Sequence, residues 1–202
     1  MTLWRGKQPL ILASQSRARQ GLLFNAGISF EAIPAEIDER AVQQSAGLAA
    51  PGDIAALLAR EKALSVSMRQ PGKFVIGADQ TLALGSRLFS KPTGRAQAAE
   101  QLRALAGHSH ELHSAVAVAR DGKILFEATS VARMTMRRLA EAEIEAYLDE
   151  AGEAVTSSVG AYQLEGLGIH LFEQIDGDHF TILGLPLLQL LAFLRSQRLV
   201  GV

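Results

Sequence analysis

The segment that most constrains the fold runs from residue 110 to 137 and reads HELHSAVAVARDGKILFEATSVARMTMR. Polar and apolar residues alternate on both sides of Asp121-Gly122, the dipeptide type that favours a two-residue β-hairpin turn. A hairpin joins antiparallel strands, so this segment does not fit a sheet built only from parallel βαβ units. A second segment, GIHLFEQIDGDHFTIL, is a further hairpin candidate around its Asp-Gly-Asp turn.

Elsewhere, strand and helix patterns alternate along the chain. LILA, from Leu10 to Ala13, predicts a buried strand, and RARQGLLFNAG predicts a helix that Ser14 or Ser16 caps and Gly27 ends. ISFEAIPA predicts a second strand, followed by an acidic loop from Glu36 to Glu39. Later helices are predicted in PGDIAALLAREKALSVSM, GRAQAAEQLRALAG, AEAEIEAYLDE and LPLLQLLAFLRSQ, with a strand in KFVIGADQT and a hairpin in LGSRLFSKP.

This alternation, interrupted by hairpins, predicts an α/β fold with a mixed central sheet and flanking helices. The chain has 202 residues, 48% of them apolar, and shows no internal repeat or linker. A chain of this size can bury one continuous core, so a single domain over residues 1–202 is expected.

The charge balance excludes two classes of partner. The chain has 20 Lys and Arg residues and 21 Asp and Glu residues, and this near balance gives no reason to expect a nucleic-acid polymer or an acidic membrane.

The chain has no cysteine, which fits a reducing compartment. No signal peptide is recognised, and the longest apolar stretch falls short of the roughly 20 residues that span a bilayer. A cytoplasmic protein is therefore expected.

Two strand ends could carry chemistry. LILASQSRAR places Ser14, Ser16, Arg17 and Arg19 at a strand-to-helix junction, where free backbone N–H groups favour an anion. The same residues also suit an ordinary helix cap with solvated arginines. KFVIGADQT appends Asp79 to a buried strand, where a carboxylate can hold a divalent metal, orient a water or cap a neighbouring helix.

Further charged residues favour an anion-binding role for the first strand end and a metal- or water-binding role for the second. Lys62 lies in AREKALS, Lys91 precedes a proline in FSKPTG, and the acidic EIDE segment ends at Glu39. Taken alone, a lysine or a short acidic segment of this kind is more often solvated than in contact with a ligand. Together with the anion cradle they match the needs of phosphoryl chemistry, which uses cations for phosphate oxygens and carboxylates for Mg²⁺ and for water.

Two other signals carry less weight. His108, His110 and His113 form HSHELH, but on a strand the first two share one face and His113 points to the other, so the three do not converge on a metal. The chain contains neither G-x-G-x-x-G nor G-x-x-x-x-G-K-[ST], which leaves a dinucleotide fold and a P-loop unsupported.

The order and spacing of several segments resemble the Maf family of nucleoside triphosphate pyrophosphatases. The resemblance covers about Leu10 to Leu187 and rests on LILASQSRARQGLL, EIDE, REKA, VIGADQT, KP and VGAYQLEGLGIHLFEQIDGDHFTILGLPL. It implies a mixed α/β fold related to the inosine triphosphate pyrophosphatases, with two lobes flanking a cleft. It also implies hydrolysis of a nucleoside triphosphate to the monophosphate and pyrophosphate with a divalent cation, Mg²⁺ or Mn²⁺.

The resemblance assigns roles to individual residues. Asp79 would accept the proton of the water that attacks the α-phosphorus, and Glu39 would help Asp79 to hold the metal. Ser14, Ser16 and Arg19 would bind the triphosphate. Lys62 and Lys91 would neutralise charge on the leaving pyrophosphate.

Three positions bear on the base. Gln80 and Glu165 match the 7-methyl-GTP subgroup of the family, where the dTTP/UTP subgroup has Thr and Gln, while Ala18 departs from both subgroups. A carboxylate at Glu165 can accept from the N1–H and N2 amino donors of guanine. A 7-methyl-GTP-like substrate is the prediction, with dTTP or UTP as the alternative.

A rival interpretation belongs to another class. The chain could be a non-catalytic nucleotide-binding regulator of cell division, although binding alone does not need a water-activating residue such as Asp79. Members of the family are often dimers, so a homodimer is also an expectation.

Overall fold

The computed structural model describes residues 3–201 and has an α/β fold with a mixed seven-stranded sheet flanked by helices, which confirms the predicted fold class. The strands are β1 Leu10–Leu12, β2 Phe30–Ala32, β3 Val75–Leu84, β4 Arg87–Phe89, β5 Ser109–Arg120, β6 Lys123–Met136 and β7 Phe172–Asp176. The helices are α1 Arg17–Asn25, α2 Glu39–Ala46, α3 Pro51–Ser67, α4 Arg95–Leu105, α5 Glu141–Ala151, α6 His179–Ile182 and α7 Leu187–Ser196. Short 3₁₀ segments follow α5 at Gly152–Thr156, Val159–Ala161 and Leu167–Leu171.

The sheet combines parallel and antiparallel neighbours. Its strands follow the order β2, β1, β3, β5, β6 and β7, and β4 pairs with β3 outside this path. β1 runs parallel to β2 and β3, whereas the β3–β4 and β6–β7 pairs are antiparallel. Asp121 and Gly122 join β5 to β6 with φ values of 51° and 71°, the left-handed conformation that a two-residue hairpin turn requires. The first predicted hairpin is therefore confirmed.

The second predicted hairpin is wrong. β7 pairs with β6, and the short helix α6 follows it where a return strand was expected. Gly177 lies between the two with φ 138°, and a Cβ there would come within 2.7 Å of the Ala132 Cβ. The turn glycine thus serves a close approach to β6, a tertiary contact that the Asp-Gly-Asp pattern does not reveal.

The acidic loop expected from Glu36 to Glu39 is only partly correct, because Glu39 begins α2. Asp38 caps this helix by accepting a hydrogen bond from the Ala41 N–H at 3.0 Å, and Gly47 ends it with φ 62°. No residue of α2 is buried. The helix has only eight residues, fewer than the roughly 11 over which apolar periodicity can be recognised, so the sequence did not predict it.

The described chain packs into two compact units. One comprises residues 3–80, 114–130 and 179–201, and the other comprises residues 81–113 and 131–178. The core of the first unit includes the buried residues Leu10, Leu12, Leu23, Ile76, Val118, Leu190 and Leu194. Buried residues of the second include Leu82, Leu102, Leu105, Leu112, Met134, Met136, Ile144 and Leu148. The single domain expected over residues 1–202 stays a prediction.

Among the helices of residues 3–201, none combines the length and apolar character needed to cross a bilayer.

Candidate active site

Asp79 lies inside β3 rather than at its end. The sequence pattern placed the end of the strand at Asp79, and this is wrong, because the strand continues to Leu84. Val75 and Ile76 pair with β1, while the residues from Leu82 onward pair with β4. The pairing with β4 keeps the chain extended beyond the carboxylate.

Gly77 brings α3 against β3. A Cβ at residue 77 would lie 2.1 Å from the carbonyl oxygen of Ala59 and 2.6 Å from the backbone nitrogen of Ala63, so only glycine permits this contact. Small side chains also line the packing of α3 against β5, where the buried cluster consists of Ala55, Ala59, Ala63, Ala115, Ala117 and Ala119. Lys62 adjoins Ala63 on the helix, and Asp79 follows Gly77 by two residues. The close approach of the two backbones therefore brings Lys62 to Asp79.

Lys62 contacts two carboxylates. Its Nζ lies 2.5 Å from Oδ1 of Asp79 and 2.7 Å from Oε1 of Glu39, the first residue of α2. The side chains of Lys62 and Asp79 are each 11% exposed, whereas that of Glu39 is 50% exposed. We call these three residues the Lys62 cluster. Within it, two carboxylates from different elements share one ammonium.

The environment of Asp79 changes its acidity. Burial raises the pKa of the Asp79 carboxyl above its ordinary value, and the charge of Glu39 adds to the rise. Lys62 and Arg19 act in the opposite direction, because a nearby cation favours the carboxylate. A carboxylate whose pKa is raised accepts a proton more readily, which suits a general base.

Arg19 is held by three oxygen atoms. Its Nε donates to the Gly184 carbonyl at 2.7 Å, and its Nη1 donates to the Ala78 carbonyl at 2.8 Å and to Ser14 Oγ at 3.3 Å. Burial lowers the pKa of the Arg19 guanidinium, and the carboxylates of Asp79 and Glu39 oppose this. These contacts fix the guanidinium next to the strand residue that precedes Asp79.

The strand-to-helix junction contains the predicted helix cap, whereas its role in binding an anion stays a prediction. Ser16 caps α1, because its Oγ accepts a hydrogen bond from the Arg19 N–H at 3.4 Å. Ser14 instead accepts from the Arg19 side chain and from the Ser16 N–H. Ser14 is thus the serine that contacts the partly buried guanidinium, while Ala18 is a half-buried residue of α1.

Gln80 contacts protein groups of the first unit. Its Nε2 donates to Ser114 Oγ at 2.9 Å, to the Thr181 carbonyl at 3.0 Å and to the Ile182 carbonyl at 2.9 Å. Ser114 in turn donates to the Thr181 carbonyl at 2.7 Å. The amide group therefore ties α6 to β3. Ser114 was not among the predicted site residues, although a serine directly before the apolar run AVAVA in a central strand is a signal for a buried polar contact.

The structure places the remaining predicted residues in the second unit. Lys91 and Glu165 are both exposed there. Their roles in binding substrate stay predictions.

A divalent cation would find oxygen ligands in the Lys62 cluster. Among the residues described, no group of three or more His, Asp or Glu side chains is placed to hold a metal. Glu39 and Asp79 nevertheless approach a common point, as their contacts with Lys62 show. Mg²⁺ is commonly bound by one or two carboxylates together with substrate phosphates and water, so the two residues fit such an ion.

Comparisons with known proteins identify the family of the chain. The family model described as Maf-like protein matches residues 9–197. The chain belongs to the Maf-like family. A Maf-like relative from Bradyrhizobium diazoefficiens, named nucleoside triphosphate pyrophosphatase, is 72% identical over 202 residues, the whole of both chains. One from Rhodopseudomonas palustris with the same name is 70% identical over 201 residues, again 100% of both chains. These matches confirm the predicted family and the prediction that the chain is an enzyme.

A third Maf-like relative has a more specific name. The protein from Rhizobium etli named 7-methyl-GTP pyrophosphatase is 55% identical over 190 residues, covering 93% of this chain and 95% of the relative.

Proposed function

We propose that this chain hydrolyses a nucleoside triphosphate to the nucleoside monophosphate and pyrophosphate. The observation that carries the proposal is the Lys62 cluster, in which one lysine contacts both a buried carboxylate and a second, exposed carboxylate. Arg19 adds a second partly buried cation near Asp79. The names of the two full-length relatives support the same reaction.

Asp79 is the proton acceptor in this proposal. Its carboxyl is only 11% exposed, and burial raises its pKa, so it accepts a proton from a nearby water more readily than a solvated carboxylate does. Its position inside β3 fixes its backbone on a rigid element. Loss of that proton turns the water into a nucleophile for the α-phosphorus.

The basic residues bind and neutralise the triphosphate. The positive charges of Lys62 and Arg19 both act on Asp79. Ser14 supplies a hydroxyl beside Arg19, and Ser16 orders the first turn of α1. Lys91 would add a further positive charge from its exposed position. Positioned cations stabilise the negative charge that grows on the leaving pyrophosphate.

Glu39 and Asp79 would hold Mg²⁺ or Mn²⁺ through their carboxylate oxygens. When bound, the cation would withdraw negative charge from the phosphate oxygens. The exposed Glu39 side chain reaches this position from the first turn of α2, whereas Asp79 reaches it from the sheet.

The substrate we propose is 7-methyl-GTP or another modified purine nucleotide. Gln80 and Glu165 are the residue types of that subgroup, and the Rhizobium etli relative bears the corresponding name. Glu165 would accept from the donor edge of guanine. Gln80 acts differently, because its amide donates to Ser114, Thr181 and Ile182 and so shapes the site through α6.

A nucleotide panel tests both levels of the proposal. The purified chain is incubated with 7-methyl-GTP, GTP, dTTP and UTP and with Mg²⁺ or Mn²⁺, and pyrophosphate is measured separately from inorganic phosphate. Release of pyrophosphate fastest from 7-methyl-GTP is the expected result. Faster cleavage of dTTP or UTP would favour the alternative substrate, since Glu165 would then not select the base.

Absence of pyrophosphate with every nucleotide, together with measurable nucleotide binding, would favour a non-catalytic regulator. A cytoplasmic location and a homodimer stay predictions, and light scattering coupled to size-exclusion chromatography measures the second.

A further inference from the structure

Lys62 is the common counter-ion of two carboxylates. Its Nζ lies within 2.7 Å of an oxygen of both Asp79 and Glu39. Two carboxylates that approach one point repel each other, and a buried carboxylate without a cation is strongly destabilised. The ammonium therefore stabilises this arrangement.

A divalent cation bound by the same carboxylates would compete with this ammonium. Carboxylates attract the metal, but an ammonium held between them repels it, as it would repel a singly charged cation. A doubly charged ion would feel about twice that repulsion. The metal therefore cannot bind to both carboxylates while Lys62 keeps both of its present close contacts.

We propose that a divalent cation binds this site by displacing the ammonium of Lys62 from at least one of its two carboxylates. The proposal rests on the function proposed above, in which Glu39 and Asp79 hold the cation. It adds that entry of the metal frees Lys62 to contact the triphosphate. A single exchange of partners then prepares both the metal and the lysine for catalysis.

The two carboxylates differ in how easily they can exchange partners. Asp79 is 11% exposed and fixed in β3, while Glu39 is 50% exposed on a helix without a buried residue. Glu39 can change its rotamer in solvent at little cost, whereas a shift of Asp79 would disturb the sheet. Glu39 is therefore the carboxylate that leaves Lys62.

Binding of Mn²⁺ in the absence of nucleotide tests this displacement directly. Free Mn²⁺ is measured by electron paramagnetic resonance in titrations of the full chain and of Lys62→Met and Lys62→Gln. Removal of the competing charge is expected to tighten Mn²⁺ binding about tenfold or more in both variants. Gln keeps a hydrogen-bond donor and so separates the loss of charge from the loss of the contact. Lys73→Met is the control, because Lys73 forms an ion pair with Glu31 and should leave Mn²⁺ affinity unchanged.

Unchanged or weaker Mn²⁺ binding in the Lys62 variants would overturn the proposal, because Lys62 would then support the metal rather than exclude it. Pyrophosphate release by the wild-type chain separates this result from failure of the function itself. Release with unaltered Mn²⁺ affinities leaves the reaction standing and removes only the displacement. No release with any nucleotide removes the proposed function.

A measurement on the wild-type chain does not depend on the folding of any variant. Brief labelling with an amine-reactive acyl reagent, quantified by peptide mass spectrometry, reports the accessibility of each lysine. Mn²⁺ is expected to increase labelling of Lys62 severalfold and to leave Lys73 unchanged. Equal or lower labelling of Lys62 with Mn²⁺ contradicts the displacement.

Discussion

Each of the two units contains a polar cluster with a buried titratable group, and the two clusters differ in charge. In the first unit, the Lys62 cluster joins an ammonium to two carboxylates at 2.5 and 2.7 Å. In the second unit, Nε2 of the buried His110 forms a 2.7 Å hydrogen bond with the Tyr162 hydroxyl, and Phe172 packs beside both rings. No hydrogen-bond partner of His110 Nδ1 is found among the described residues.

The same physical effect has opposite outcomes in the two clusters. Burial disfavours charge, so it raises the pKa of Asp79 and lowers the pKa of His110 to about 4. Cations oppose this effect at Asp79, whereas only desolvation acts on His110. The second cluster is therefore neutral at physiological pH and suited to packing. The first keeps opposite charges in contact and is suited to chemistry.

The largest effect is expected when the buried carboxylate of the first cluster is neutralised. Asp79→Asn is expected to reduce kcat for pyrophosphate release by about 10²–10⁴-fold, because an amide cannot accept the proton of the attacking water. Steady-state kinetics with Mg²⁺ measure this effect. Asp176→Asn, at an exposed position of β7, is the matched control and should keep wild-type turnover. Near-normal kcat in Asp79→Asn would assign the base to another residue.

Lowering the pH tests the neutral cluster of His110 and Tyr162. The unfolded chain protonates His110 near pH 6.5, but the folded chain does so only near pH 4, so protons favour unfolding between these values. The contribution of His110 is fully present above pH 6.5 and is lost as the pH falls toward 4. The difference corresponds to about 3 kcal/mol of unfolding free energy.

Urea unfolding of wild type and His110→Phe at pH 8 and pH 5 measures this contribution. The variant should lose less stability on acidification than the wild type, while His170→Gln, which changes an exposed histidine, should behave like wild type. Equal acid sensitivity in all three proteins would show that His110 is protonated without cost in the folded state.

A smaller effect is expected where a backbone position supports the charged cluster. Gly184 has φ 88°, and a Cβ there would lie 3.2 Å from both Nε and Nη2 of Arg19. Gly184→Ala should displace the guanidinium and weaken nucleotide binding about tenfold, seen as a higher KM. Gly85→Ala is the control, because Gly85 has φ 59° but a Cβ added there would meet no heavy atom within 4 Å. If both variants raise KM equally, backbone strain rather than Arg19 is responsible.

The smallest effect is expected for a charge pair on the exposed side of the same helix that carries Lys62. Arg60 forms a bidentate ion pair with Glu127, yet its side chain is 46% exposed. Arg60→Met should change the free energy of unfolding by only about 0.5 kcal/mol, since solvent screens such pairs. Thermal or urea unfolding measures the change. If Arg60→Met lost as much unfolding free energy as the loss of a buried ion pair does, the exposure of Arg60 would not explain a smaller contribution than that of Lys62.

The sequence revealed those parts of the site that follow from local patterns. The strand in LILA, the helix cap at one of the two candidate serines, Ser14 or Ser16, and the Asp121-Gly122 turn depend on neighbouring residues, and the structure contains each of them. The family resemblance selected Glu39, Lys62 and Asp79, which the structure brings into contact. None of these residues was decisive alone, because each has a common structural role elsewhere.

The missed features depend on contacts between distant segments. The continuation of β3 beyond Asp79 requires pairing with β4, and the hydrogen bonds of Gln80 require the backbone of α6, about one hundred residues away in sequence. The helix α2 has only eight residues, too few for apolar periodicity to be recognised. Local pattern carries no information on these contacts.

The contact at Gly77 affects how mutational data on this chain should be interpreted. A methyl group there would meet the Ala59 carbonyl oxygen at 2.1 Å and would push α3 away from β3. Turnover would fall along with stability, although residue 77 has no group that could touch a substrate. A scan that ranks positions by lost activity would therefore place Gly77 beside Asp79, and only a parallel measurement of folding would separate the residue that reacts from the residue whose missing side chain makes room.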